Sequence, residues 1–178
     1  MEKIVVDVFL SEIEQQCKFA SIAVKQMSAG LSNRDSNLFW YAMQSFLIAV
    51  ANISKILWPQ CSGSKERGKK LREILGIRGD SPIRHRRFRN HFEHFDERIE
   101  EWASSSKRRN FVDLNICSPG MIVGIDPEDI LRNFDPKTWT LTFRGEVYKL
   151  KPVMDAIQDL HQKVLEPRDK RWNRSVNR

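Results

Sequence analysis

LFWYAMQSFLIAVANISKILW, residues 38–58, is the stretch whose reading decides the fold. About 20 apolar residues suffice to cross a bilayer, so its length alone admits a membrane span. Gln44, Asn52 and Lys55 interrupt it, however, and its flanks carry no strong topological signal. Polar side chains are costly inside a bilayer. The stretch therefore reads as a buried core helix, capped by Asp35 or Ser36 and ended before Pro59.

Working outward, residues 8–29 place Phe9, Ile13, Cys17, Ala20 and Val24 at close to helical spacing, with Ser11 and Glu14 as a capping box for an inner start and Gly30 as the stop. On the other side, QCSGSKERG reads as a loop, and a basic helix over about 65–75 closes at Gly76. GIRGDSP is turn chemistry. Pro82 suits the first turn of a fourth helix over about 82–104, whose stripe is Phe88, Phe92, Phe95, Ile99 and Trp102. SSSKRRN ends that helix. Trp40, Trp58 and Trp102 are expected in the core.

The period then changes. FVDLNI (111–116) alternates, Asp126-Pro127 starts a short helix that takes in Ile130 and Leu131, and TWTLTF and VYKL flank a hairpin turn at Arg144-Gly145-Glu146. A last helix from near Lys151-Pro152 presents Val153, Ile157, Leu160 and Val164. The expected fold is mainly α: an up-and-down bundle of four to five helices, with a small antiparallel β-hairpin element inserted before the last helix. Residues 1–167 form one domain, 111–150 its β-containing insertion, and 168–178 a basic tail in which Trp172 is available to stack on a base.

The chain has 178 residues, 30% of them charged, a net charge of +7 and a pI near 9.5. A polyanionic partner follows from that balance. Cys17, Cys61 and Cys117 are odd in number and lack CxxC spacing, which fits free thiols in a reducing, cytoplasmic setting. MEKIVVDVFLSEIEQQ has acids in its short apolar run and no small-residue cleavage site, so no signal peptide is expected. No P-loop, dinucleotide fingerprint, serine-hydrolase elbow or kinase signature occurs.

The chemistry concentrates in RHRRFRNHFEHF, residues 84–95, where four arginines and three histidines surround a single acid, Glu93. On one ideal helix Arg89 and His94 lie about 140° apart and flank the apolar stripe, while Asn90 sits close to His94 and His91 lies nearer the stripe. A second helix or a second copy of the chain would be needed to bring Arg89 and His94 together. The bland reading is a solvated face on which Glu93, Asp96 and Glu97 pair with the cations. His91 and His94 lack metal-site spacing and a cysteine partner, and the arginines oppose a cation, so neither metal nor cofactor is expected.

Arg89-Asn90-His91-Phe92-Glu93-His94 reads R-N-x-x-x-H and is similar to the R-polar-x(3 to 5)-H motif of HEPN domains, helical proteins found in many RNases of toxin, phage-defence and RNA-processing systems. The resemblance covers about residues 8–104. It implies a homodimer whose motif helices meet near the two-fold axis, and metal-independent cleavage of single-stranded RNA to 2′,3′-cyclic phosphate and 5′-hydroxyl ends. On that reading His94 moves the proton, Arg89 neutralises charge on the phosphorane, and Asn90 orients the histidine or the phosphate. Arg84, Arg86, Arg87 and His91 would hold substrate, the arginines through its phosphates. An antitoxin or other regulatory protein is implied as a further partner. The tyrosine that often follows the histidine by two residues in toxins paired with a nucleotidyltransferase is Asp96 here, which argues against that pairing. The rival readings are an inert module that binds nucleic acid or protein through the same face, and a structural bundle whose basic surface is incidental.

Overall fold

The computed structural model describes residues 2–166. Its frame is a hairpin of two long helices, α1 (Lys3–Asn33) and α2 (Ser36–Leu57). α1 continues three residues past Gly30, so Gly30 is a crossing point and not the stop the sequence suggested. A Cβ there would stand 2.8 Å from the Phe39 backbone nitrogen, which is why the chain keeps glycine where α2 departs. The reversal uses Arg34 in the left-handed region (φ 56°), and the Asp35 carboxylate caps α2 by accepting from the Leu38 N–H at 2.9 Å. α1 also starts at Lys3, which places Ser11 inside the helix and removes the expected capping box.

The core lies between the two helices. Ile13, Cys17, Ala20 and Met27 of α1 meet Phe39, Met43, Phe46 and Ile53 of α2, all fully buried. Around them stand α3 (Lys65–Leu75), closed by Gly76 in the left-handed region, and α6 (Leu150–Leu165), which packs Val153, Ile157, Leu160 and Val164 against the hairpin. No helix among the described residues is long and apolar enough to cross a membrane. Residues 38–58 contribute one side of the core.

The expected fourth helix is three pieces: a 3-10 turn at Pro82–Arg84, then α4 (Arg87–Glu93) and α5 (Phe95–Ser105), with a break at His94. The stripe persists only as far as the break demands. Phe88 and Phe92 are buried and Phe95 half-buried, while Ile99 is 38% exposed and Trp102 packs on Phe111, a loop residue.

A four-stranded sheet follows, in the order β1 (Asn115–Ile116), β2 (Arg132–Asp135), β3 (Thr140–Phe143), β4 (Glu146–Lys149). β2 to β4 form an antiparallel meander, and β1 joins β2 in parallel. The hairpin turn is the two-residue Arg144-Gly145 with φ of 47° and 82°, which places Glu146 in the strand. Asp126-Pro127 leads only to a 3-10 turn over Pro127–Asp129. Ile130 and Leu131 leave it for the sheet, so the helix expected there is replaced by the approach to β2. Phe134, Leu141 and Phe143 turn inward, and Phe134 meets Phe39 at 4.6 Å. The molecule is thus mainly helical with a small sheet inserted before the last helix, as the sequence implied. The basic tail at 168–178, with Trp172, lies outside the described residues.

Candidate functional site

The segment 82–105 is held from two sides. At its start, the Ser54 hydroxyl of α2, fully buried, donates to the Arg84 carbonyl at 2.8 Å. In its middle, Phe88 stacks on Tyr148 at 4.7 Å, and burial pushes that phenol up to about 12. Further on, Arg132 lies 4.1 Å over the Phe95 ring and forms a two-pronged ion pair with Asp113. Tyr148 and Arg132 of the sheet, with Asp113 before it, therefore pack against the motif segment.

Each motif residue has a distinct place. Arg89, with its side chain 19% exposed, pairs with Glu93 one turn on and donates to the Asn90 amide oxygen at 3.2 Å. Asn90 is exposed. His94 occupies the junction of α4 and α5 (φ −104°, ψ 39°), with its side chain 54% exposed and Nδ1 3.3 Å from a Glu97 oxygen. Backbone bonds of helical type flank the break: the His94 N–H donates to Asn90 and the Arg98 N–H to His94. Within one chain Arg89 and His94 serve different carboxylates, and the structure does not bring them together.

His91 is the best-fixed member. Its ring stacks on Phe143 at 4.6 Å with 4° between planes, meets the Phe88 edge, and its Nε2 lies 3.2 Å from Glu146 of β4. The side chain is only 13% exposed. The other oxygen of Glu146 accepts from Arg87 at 2.5 Å. One carboxylate from the inserted sheet therefore gathers an arginine and a histidine of α4.

The remaining arginines divide in a way that spacing did not reveal. Arg86 points at the Trp58 carbonyl at 3.5 Å, while Arg72 of α3 lies over the Trp58 ring and donates to the Leu57 carbonyl. Two cations thus sit at the C-terminal end of α2, where carbonyls lack helical partners and the helix dipole is negative. Arg84 stays exposed, in a long contact with the Gly79 carbonyl at 3.3 Å. Among the described residues no three His, Cys, Asp or Glu side chains gather as metal ligands would.

Sequence reasoning missed the contacts that Glu146, Phe143, Trp58 and Arg72 make with the motif segment and the end of α2. Glu146 is 55 positions from His91 and meets it only through the register of the β3–β4 hairpin. Glu93 and Glu97, two of the three acids that the bland reading named, pair with Arg89 and His94 at i, i+4 and i, i+3 spacing. No family model, characterised protein or solved structure matches the chain.

Proposed function

We propose that this protein is a metal-independent endoribonuclease acting on single-stranded RNA, with Arg89, Asn90 and His94 as its reacting group and Arg84, Arg86, Arg87 and His91 along the substrate path. The observation that carries the reading is the station of His94: exposed, at a helix junction, with a carboxylate on Nδ1. A carboxylate there favours the tautomer that leaves Nε2 free to accept a proton. Nε2 takes the ribose 2′-hydroxyl proton; the oxygen attacks the adjacent phosphorus as the P–O5′ bond breaks, and the 5′-oxygen leaves with the proton that the His94 imidazolium returns. The products are a 2′,3′-cyclic phosphate and a 5′-hydroxyl. Arg89 exchanges Glu93 for the phosphate, one anion for another, so its charge stays paired throughout.

The arginines of two motif segments repel each other. The second copy that completes the site is therefore drawn in across bound RNA, whose phosphates separate and neutralise the facing cations. Toxin or phage-defence activity, restrained by a regulatory protein, is the setting the resemblance supplies. One observation favours a second reading, an inert binding module: Arg89 and Arg87 are already occupied by the chain's own carboxylates.

The test is incubation with a panel of single-stranded RNAs in EDTA. Wild type is expected to leave cyclic-phosphate ends, with His94→Ala slower by about 10²–10⁴-fold, the usual worth of a general base. Salt-sensitive binding with no cleavage by either protein selects the binding module.

A further inference from the structure

The outer face of the α1–α2 hairpin lies away from the motif. Ser54 of α2 faces the motif segment, and Asn52, nearly half a turn round the helix, faces outward to bond Gln16 of α1 at 3.3 Å. Around that bond lies a groove lined by Phe19, Ile22, Tyr41 and Ile48 with small and amide residues between them, and no charged residue. Phe19, Ile22 and Tyr41 are 47%, 50% and 66% exposed. In a chain with 30% charged residues, this is an uncharged apolar face open to solvent.

The pattern along α1 says what covers it. Ile4, Val8, Ser11, Gln15, Phe19, Ile22 and Gln26 recur with an 11-residue period and stay within about 40° of one line on a helix. All are exposed except half-buried Gln26. The line is symmetric about Gln15: read backwards from residue 26, it falls on the same positions. Beside it, about 60–100° to one flank, stand Asp7, Glu14, Lys18 and Lys25. Their signs read minus, minus, plus, plus. Antiparallel helices related by a two-fold axis bring equivalent flanks together, so this order meets its own reversal as plus, plus, minus, minus.

We propose that this face binds a second copy of the chain, α1 against α1 in antiparallel order, with the two-fold axis at Gln15. Val8 then lies opposite Ile22 of the second copy, and Ser11 opposite Phe19. Glu14, which pairs with Lys18 of its own helix at 2.6 Å, also comes within two residues, about 3 Å of helix rise, of the level of Lys18 in the second copy, so the ion pair extends into a network across the axis, and Asp7 stands in the same relation to Lys25. A parallel two-fold pairing would instead set this flank against the opposite one, which holds Val5, Glu12, Gln16 and Ala23 and offers the four charges no matching order. The helix dipole does not account for the order, because its effect fades within the first and last turns and Glu14 and Lys18 stand in the middle of α1. The arrangement also suits a chain of net charge +7, since the copies meet on an uncharged strip and keep their basic faces apart. It stands independently of any ribonuclease activity.

The experiment is sedimentation of the full chain, free of RNA, over a range up to about 100 µM, a concentration that populates even a weak dimer. Wild type is expected to dimerise. Ile22→Asp abolishes the dimer, and Lys18→Glu with Lys25→Glu weakens it by about ten-fold or more. Adding Asp7→Lys and Glu14→Lys to that pair restores it, because the reversed signs are again complementary. With exposed Cys61 replaced by serine, Gln15→Cys cross-links to itself under mild oxidation, and buried Cys17 stays out of the reaction. Circular dichroism confirms that each variant is folded. A monomer throughout the range overturns the proposal. So does a dimer that survives Ile22→Asp, or one that the fourfold charge exchange fails to rescue.

Discussion

The α1–α2 hairpin and the segment 82–105 are both helical and both amphipathic, yet they are built differently. The hairpin is held by continuous apolar contact along two unbroken helices, with Gln16 and Ser54 its buried polar side chains. The motif segment is three short pieces held by ring stacking and ion pairs to a sheet that arrives later in the chain. Stability resides in the first, and exposed chemistry in the second. His94 stands at the break between α4 and α5, off the line of the stripe and exposed. A continuous helix carrying the stripe from Phe88 to Trp102 would have kept a regular face toward the bundle.

The comparison is broken most directly at Phe39, which is fully buried and packed 4.6 Å from Phe134 of the sheet. Phe39→Ala is expected to cost about 3–5 kcal/mol in urea unfolding, the range for a large ring removed from a packed core. A loss below about 1 kcal/mol would mean that the hairpin is not the frame. The matching perturbation in the second region is Asp113→Ala. Asp113 and Arg132 are 11% and 17% exposed, and removing one partner strands the other charge. About 3 kcal/mol is expected, at the lower end for a buried pair. Because Arg132 lies over Phe95, hydrogen exchange should show α5 opening before α1 and α2. Uniform opening of all three would erase the distinction.

Asp135 sharpens the picture through pH. The Thr138 hydroxyl at 2.6 Å, the Lys137 N–H and the Ser118 hydroxyl bond its carboxylate and hold its pKa below the ordinary carboxylate value. A depressed folded value means that the charged form stabilises the fold. That contribution is present above the unfolded value of about 4 and is lost as pH falls through the folded one. Stability measured against pH should therefore fall on the acid side, and Asp135→Asn should flatten that limb. An unchanged limb would move its origin away from the loop joining β2 and β3.

These differences track what was legible in the sequence. The hairpin follows from local signals: the apolar run at 38–58, the Asp35 cap, the stop before Pro59. The last helix and the β3–β4 hairpin were equally local, the latter because Arg144-Gly145 can take up two positive φ angles in succession. The break at His94 was hidden because the stripe keeps its steps of four and three across it, so periodicity alone predicts a straight helix. What bends the chain is distant in sequence: Phe143, Arg132 and Asp113 capture Phe92, Phe95 and their surroundings. β2 was missed because Arg132–Asp135 is short and half polar, and Asn133 and Asp135 are buried through bonds to Cys117, Ser118 and Thr138 that no local pattern announces. Likewise Arg84, Arg86, Arg87 and Arg89 read as one cluster in the sequence, whereas the fold gives each a different partner.

The smallest expected effect tests whether those partners restrain the site. Glu146 holds Arg87 at 2.5 Å and His91 at 3.2 Å, presenting two carboxylate oxygens where a phosphate would present its own. Arg87 is largely exposed, so its pair with Glu146 is worth about 0–1 kcal/mol, and releasing it changes affinity by at most about five-fold. Glu146→Gln keeps the shape and a hydrogen-bond acceptor for His91 but withdraws the charge. If the carboxylate competes with RNA, the variant binds a single-stranded oligonucleotide about two- to five-fold more tightly at low salt, and the slope of affinity against salt steepens as Arg87 joins the phosphate contacts. A DNA oligonucleotide separates this binding from cleavage, because it lacks the 2′-hydroxyl. Weaker binding with lowered stability would instead make Glu146 the clamp that positions α4, and the motif would then depend on the sheet for its shape, with its charge left as it stands.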